Sequence, residues 1–138
     1  MNAVDTNVLL YSIDQRDLVK QARARELLRG LADGVLLWQV GCEFVASAAR
    51  FERLGLTRER AWDRLRDMRA MLHVVMPVEG TWDRAEVLQQ KHQVSFWDAL
   101  IFAAALDAGV TTIFSEDLPG EAIPGLRVIN PFATGATA

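Results

Sequence analysis

SFWDALIFAAALDAGVTTIF, from Ser95 to Phe114, decides the fold class. Ser95 is placed to cap a helix, with Asp98 three residues on, the Ser-x-x-Asp pattern of a capping box. Phe96 to Leu106 follows as the most apolar helix in the chain, and Gly109 closes it. Thr111–Phe114 then reads as a strand. A helix running directly into a strand is the basic unit of an α/β fold.

The same alternation extends in both directions. Met1–Val4 is a short apolar start cut off by Asp5, and Val8–Tyr11 continues as a turn into a small helix. Leu18–Leu31 suits an amphipathic helix, with Leu18, Ala22, Leu27, Leu28 and Leu31 as its apolar positions. Asp33-Gly34 is a turn signal before the strand Val35–Trp38. Gly41–Leu54 reads as a helix with Phe44, Val45, Ala48, Ala49 and Leu54 near one face. Thr57 is expected to cap a helix that turns Ala61, Leu65, Met68 and Leu72 inward. Val74–Val78 reads as a strand, Thr81 as the cap of a helix to about Gln90, and Val128–Ile129 as a last strand. The pattern predicts a parallel sheet covered on both faces. One domain over residues 1–132 is expected, with 133–138 as a flexible tail.

Composition narrows the function. The 138 residues carry 15 Lys+Arg and 18 Asp+Glu, net −3, which excludes a simple basic nucleic-acid coat. One cysteine and two histidines exclude an internal disulfide and a Cys/His zinc site. The longest wholly apolar run, Ala99–Leu106, is far short of the ~18 residues of a membrane span. The opening Met-Asn-Ala-Val-Asp lacks the features of a secretory signal, so a cytoplasmic location is expected.

Ligands of parallel α/β folds gather beyond the carboxyl ends of the strands. Asp5, Glu43, Asp98 and Asp117 fall at such junctions, separated by 38, 55 and 19 residues. Four like charges in one pocket would raise each other's pKa. A divalent cation resolves the conflict, and all-oxygen ligands suit Mg²⁺ or Mn²⁺. Such a site fits phosphodiester hydrolysis, in which metal activates water and offsets charge on the phosphate. Each acid also has a plainer reading. Asp98 completes a capping box, Asp5 serves a turn, Glu43 favours a helix N-terminus, and Asp117 is a loop residue.

The blocks around these acids resemble those of the PIN-domain family. They are Ala3-Val4-Asp5-Thr6-Asn7-Val8-Leu9-Leu10-Tyr11, Gln39-Val40-Gly41-Cys42-Glu43-Phe44-Val45, Val94-Ser95-Phe96-Trp97-Asp98-Ala99-Leu100-Ile101 and Phe114-Ser115-Glu116-Asp117-Leu118. Their order, spacing and chain length are similar to those of VapC-type toxins of type II toxin–antitoxin systems. The resemblance implies a three-layer α/β/α sandwich and an Mg²⁺- or Mn²⁺-dependent endoribonuclease. It matches Asp5, Glu43, Asp98 and Asp117 to the catalytic and metal-binding quartet, with Asp5 and Asp98 most directly on the metal. Thr6, Asn7 and Ser115 match supporting polar positions. Glu116 adjoins Asp117, and either could face the metal, although the family register favours Asp117. The resemblance further implies a homodimer and a small antitoxin whose tail occupies the groove.

An acidic pocket needs flanking cations to admit a polyanion. Residues 16–69 carry twelve Lys/Arg against eight Asp/Glu, while the remainder is net −7. Arg58–Arg69 holds five arginines, but interleaved acids favour ion pairs such as Arg60–Asp63 and Arg64–Asp67. Arg16, Lys20 and Arg23, with Arg25 and Arg29, are the better candidates for RNA or an acidic antitoxin. Trp38, Trp62, Trp82 and Trp97 offer stacking surfaces, Trp97 above all because it adjoins Asp98. Cys42 reads as a small buried hydrophobe. Two other functions are compatible: a PIN-like binding module without turnover, and an aspartate-based phosphotransferase or phosphatase. The second lacks the acid it would need at Asn7.

Overall fold

A computed structural model describes residues 1–119 and 123–133, except for the side chain of Leu54. Most of the expected tail, 134–138, lies outside the described residues. Five strands form one parallel sheet: β1 (Asn2–Val4), β2 (Gly34–Leu37), β3 (His73–Val75), β4 (Thr112–Phe114) and β5 (Arg127–Ile129). Their spatial order is β3-β2-β1-β4-β5. Helices cover both sides, as the alternating pattern predicts. They are α1 (Thr6–Tyr11), α2 (Leu18–Gly30), α3 (Trp38–Ala46), α4 (Arg58–Met71), α5 (Gly80–Lys91) and α6 (Phe96–Ala108). Among the described residues no helix is long and apolar enough to cross a membrane.

The chain leaves β1 toward β2 and β3, then returns to lay β4 on the opposite side of β1. The switch point therefore lies between β1 and β4, where ligand crevices form in open parallel sheets. The register pairs Val4 with Phe114, so Asp5 and Ser115 leave the sheet side by side. Burial explains the strand sequences. Val35, Leu36, Leu37 and Ile113 are almost wholly buried, as expected of a sheet covered on both faces. α6 buries Ile101 and Phe102 and its run Ala103–Ala105, and Ser95 caps it by accepting from the Asp98 N–H at 3.1 Å. Gly109 ends it with φ +80, a left-handed conformation that favours glycine.

Four boundaries differ from the sequence expectation. β2 stops at Leu37, and Trp38 opens α3 rather than ending the strand. The helix expected over Gly41–Leu54 is split, with α3 giving way to a 3-10 stretch over Ser47–Leu54. Ser47 Oγ donates to the Glu43 carbonyl at 2.8 Å, a back-bond that disturbs a regular helix. The strand expected over Val74–Val78 is His73–Val75, short of Pro77, whose missing N–H cannot serve a ladder. Thr81 lies inside α5 rather than capping it. Its hydroxyl accepts from Val78 N at 3.1 Å and donates to Asp107 Oδ2 at 2.8 Å, tying α5 to α6.

Phe102 is fully buried in α6. Phe102→Ala is expected to cost about 3–5 kcal/mol of unfolding free energy, measured by urea denaturation.

Candidate active site

Asp5, Glu43, Asp98 and Asp117 line one cleft of about 540 Å³, which Thr6, Asn7, Ser47 and Arg50 also line. Three of the acids come from distinct structural positions around the switch point. Asp5 follows β1 and caps α1, its Oδ1 accepting from Thr6 N at 2.8 Å. Asp98 lies in the first turn of α6, and Asp117 follows β4. Glu43 sits one turn further into its helix than expected, because α3 begins at Trp38. The plainer readings are therefore compatible with the cleft: Asp5 caps a helix while lining it. The Ser95 half of the Ser95–Asp98 capping box is formed, and the Asp98 side chain lines the cleft.

A hydrogen-bond network fixes Asp5, Glu43 and Asp117. Ser115, only 1% exposed, donates its hydroxyl to Asp5 Oδ2 at 2.7 Å. The same Oγ accepts from Asp117 N and Leu118 N, each at 3.1 Å, so it shapes the loop that carries Asp117. Asn7 Nδ2 bridges Ser115 Oγ at 3.2 Å and Asp117 Oδ2 at 3.3 Å, with a longer contact of 3.4 Å to Asp5 Oδ2. Its Oδ1 accepts from Glu116 N at 3.2 Å. Thr6 Oγ1 donates to Glu43 Oε2 at 2.8 Å. Gln39 Nε2 donates to Glu43 Oε1 at 2.9 Å and to the Trp97 carbonyl at 3.2 Å. Each engaged carboxylate oxygen keeps further acceptor capacity.

Glu116 faces elsewhere. It accepts from Tyr11 OH at 2.8 Å and from Lys20 Nζ at 2.7 Å, while Asp117 lines the cleft. The Lys20 ammonium is held well above its usual pKa, first by its bond to Glu116 and then by Tyr11. The other expected contact residues also have internal acceptors. Arg16 forms two bonds to buried Asp14, at 2.9 Å each, and stands over the Phe51 ring. Arg23 donates to the Pro131 carbonyl at 3.0 Å. On α4 the expected pairs Arg60–Asp63 and Arg64–Asp67 are absent among the described residues; Arg66 pairs with Asp63 at 2.7 Å instead. Trp97 is exposed. Cys42 is exposed too, against expectation, and lies with Trp38 and Trp62 on an apolar hollow.

Sequence reasoning assigned no role to Gln39, Ser47 or Arg50. Gln39 becomes visible once α3 starts at Trp38, since residues four apart share a helix face. Ser47 and Arg50 depended on the 3-10 turn, which no sequence signal announced.

Burial is the largest influence on Asp5 and raises its pKa, with Glu43 and Asp98 adding repulsion. Burial likewise raises the Asp98 pKa first, and Glu43 and Asp117 push the same way. Asp5 and Asp98 thus feel the negative charge gathered in the cleft. Among the described residues, no three Asp, Glu, His or Cys side chains converge into a group that could hold a metal by themselves. The donors still fit a hard, hydrated cation. All are oxygens, and Mg²⁺ commonly uses one or two carboxylates and keeps several waters.

The PIN-domain family model matches residues 3–118. The chain belongs to the PIN-domain family. Solved structures share its fold at low sequence identity. A toxin–antitoxin complex from Klebsiella pneumoniae is 20% identical, with TM-score 0.68, over 96% of this chain and 98% of that one. VapBC2 from Rickettsia felis, bound to a fragment of its promoter DNA, is 14% identical, with TM-score 0.68, over 92% and 96%. VapC20 from Mycobacterium tuberculosis, a toxin that cleaves the sarcin-ricin loop, is 18% identical, with TM-score 0.69, over 92% and 99%. No curated protein sequence matches this PIN chain significantly.

The raised carboxyl pKa values carry a stability consequence. An acid whose folded pKa lies above its unfolded value favours folding at low pH, and that contribution is lost as pH rises through the folded pKa. In EDTA at pH 7, Asp98→Asn is therefore expected to melt above wild type by calorimetry. The difference should shrink as pH falls and close below the unfolded value near 3.8.

Proposed function

We propose that this PIN chain is a metal-dependent endoribonuclease and the toxin of a toxin–antitoxin pair, acting as one unit over residues 1–132. The observation that carries the reading is the set of four carboxylates around one cleft at the switch point of a PIN fold. Its structural neighbours include a toxin that cleaves the sarcin-ricin loop and complexes of toxin with antitoxin. In this reading Asp5, Asp98 and Asp117 would hold Mg²⁺ or Mn²⁺, directly or through water, and Glu43 would complete the site. Bound metal would supply an activated water and offset charge on the scissile phosphate. Ser115, Asn7 and Thr6 hold the carboxylates in place. Glu43, oriented by Thr6 and Gln39, would position the nucleophilic water at the scissile phosphate.

The test is cleavage of total RNA by purified protein. Discrete fragments are expected with Mg²⁺ or Mn²⁺, none in EDTA, and at least a hundredfold less product from Asp5→Ala and Asp98→Ala, a loss of the size that removal of one electrostatic catalytic group produces. Equal products from wild type and both variants would sink the reading. Millimolar Mg²⁺ should also raise the wild-type Tm by mass action and raise it less in Asp98→Ala.

Partners belong to the same proposal. All four tryptophans are 46–69% exposed, and Trp38, Trp82 and Trp97 rim an apolar hollow of about 450 Å³. Apolar patches of this kind mark protein interfaces. We assign this one to a second copy of the chain, with a small antitoxin as the further partner, within a cytoplasmic setting. Sedimentation should report a dimer, and Trp82→Glu should shift it to monomer with an unchanged circular dichroism spectrum. A wild-type monomer at high micromolar concentration would remove the homodimer from the proposal.

A further inference from the structure

We infer that Arg50 is a substrate-binding residue that grips a phosphate of the RNA strand beside the four carboxylates. This rests on reading the cleft as an RNA-cleaving site. Arg50 lines the cleft together with Asp5, Glu43, Asp98 and Asp117. Its position follows from the 3-10 stretch, where residues three apart stack on one side. Arg50 Nη2 donates to Ser47 Oγ at 2.8 Å, and Ser47 Oγ donates to the Glu43 carbonyl at 2.8 Å. The guanidinium is thereby tied to the helix that carries Glu43.

Arg50 is set apart by its place: among the described residues no other Lys or Arg lines this cleft. Arg16, Lys20, Arg23, Arg66 and Arg84 each meet a carboxylate within 4.0 Å. Among the described residues Arg50 meets none, although four carboxylates line the same cleft. A guanidinium has five N–H donors in a rigid fork. The Ser47 bond uses one, and the others are available to an incoming anion. Phosphate matches that fork bidentately. A cation at this place also answers the electrostatic problem of the cleft, because a polyanion approaching four carboxylates needs a local positive contact. The competing role is internal, with Arg50 merely offsetting the charge of the acids. In that case its removal would alter metal affinity rather than RNA affinity.

The experiment compares wild type, Arg50→Ala, Arg50→Lys and Arg53→Ala, the last an exposed arginine on the same 3-10 stretch outside the cleft lining. Binding of a 20-nucleotide mixed-sequence single-stranded RNA is measured by fluorescence anisotropy in EDTA across a salt series. Arg50→Ala is expected to bind more weakly and to lower the slope of log K against log salt by about 0.7, one phosphate contact on a single strand. Arg50→Lys should keep the slope and recover part of the affinity, and Arg53→Ala should match wild type. Calorimetry should give the same Mg²⁺ affinity for Arg50→Ala and wild type. Total-RNA cleavage with Mg²⁺ should slow about 10- to 100-fold in Arg50→Ala, the range of a lost hydrogen bond to a charged group. Equal RNA affinity of wild type and Arg50→Ala, whether measurable or absent, overturns the assignment. So does an equal loss in Arg53→Ala, or a changed Mg²⁺ affinity in Arg50→Ala, which a purely charge-offsetting arginine would make tighter. A wild-type chain that binds RNA through Arg50 but never cuts it would instead sink the nuclease reading and leave the phosphate contact standing.

Discussion

The site depends on one pairing, β1 against β4. Their parallel register places Val4 beside Phe114, and the residues that follow, Asp5 and Ser115, meet across 110 positions of sequence. The 2.7 Å bond between them lies in a nearly dry setting, where a charge is costly without a partner. Ser115 answers that cost and also organises the loop that carries Asp117. Asn7 closes the arrangement by bridging both sides of the switch point. A slip of one residue between β1 and β4 would reverse every side chain and dismantle the group.

Gathering four carboxylates works against folding, since burial and mutual repulsion raise the pKa of Asp5 and Asp98. The fold sustains them by aiming neutral donors at the acids: Thr6, Gln39, Asn7 and Ser115. Neutral donors orient a carboxylate without cancelling its charge, so the acids remain available to a cation. A salt-bridged cluster would be quieter and chemically spent. Glu116 illustrates the contrast. Paired with Lys20 and bonded to Tyr11, it braces α2 and α1 against the loop after β4 and takes no part in the cleft.

The surface divides by the same logic. Most of the cations that look available in the sequence are engaged internally, Arg16 with Asp14 and Arg23 with the Pro131 carbonyl. The tryptophans run the opposite way. Core placement is the common fate of such residues, yet all four stand exposed, three of them around one hollow. Burying them against another chain would recover transfer free energy that this chain alone forgoes.

Sequence alone determined the fold class and marked the acids that line the cleft. Apolar runs of strand length alternate with helical periodicities, and burial on both sheet faces demands that pattern, so it survives in one dimension. Asp5, Asp98 and Asp117 were legible because strand ends and helix starts are where such folds place ligands. What it left open were the choices made by contacts between distant segments. Whether Glu116 or Asp117 faces the cleft was decided by Lys20 and Tyr11. The role of Gln39 waited on where α3 begins, and that of Arg50 on Ser47 bonding back to Glu43 and turning the chain into a 3-10 stretch. These outcomes rest on hydrogen bonds between particular side chains and backbone atoms, which periodicity does not encode.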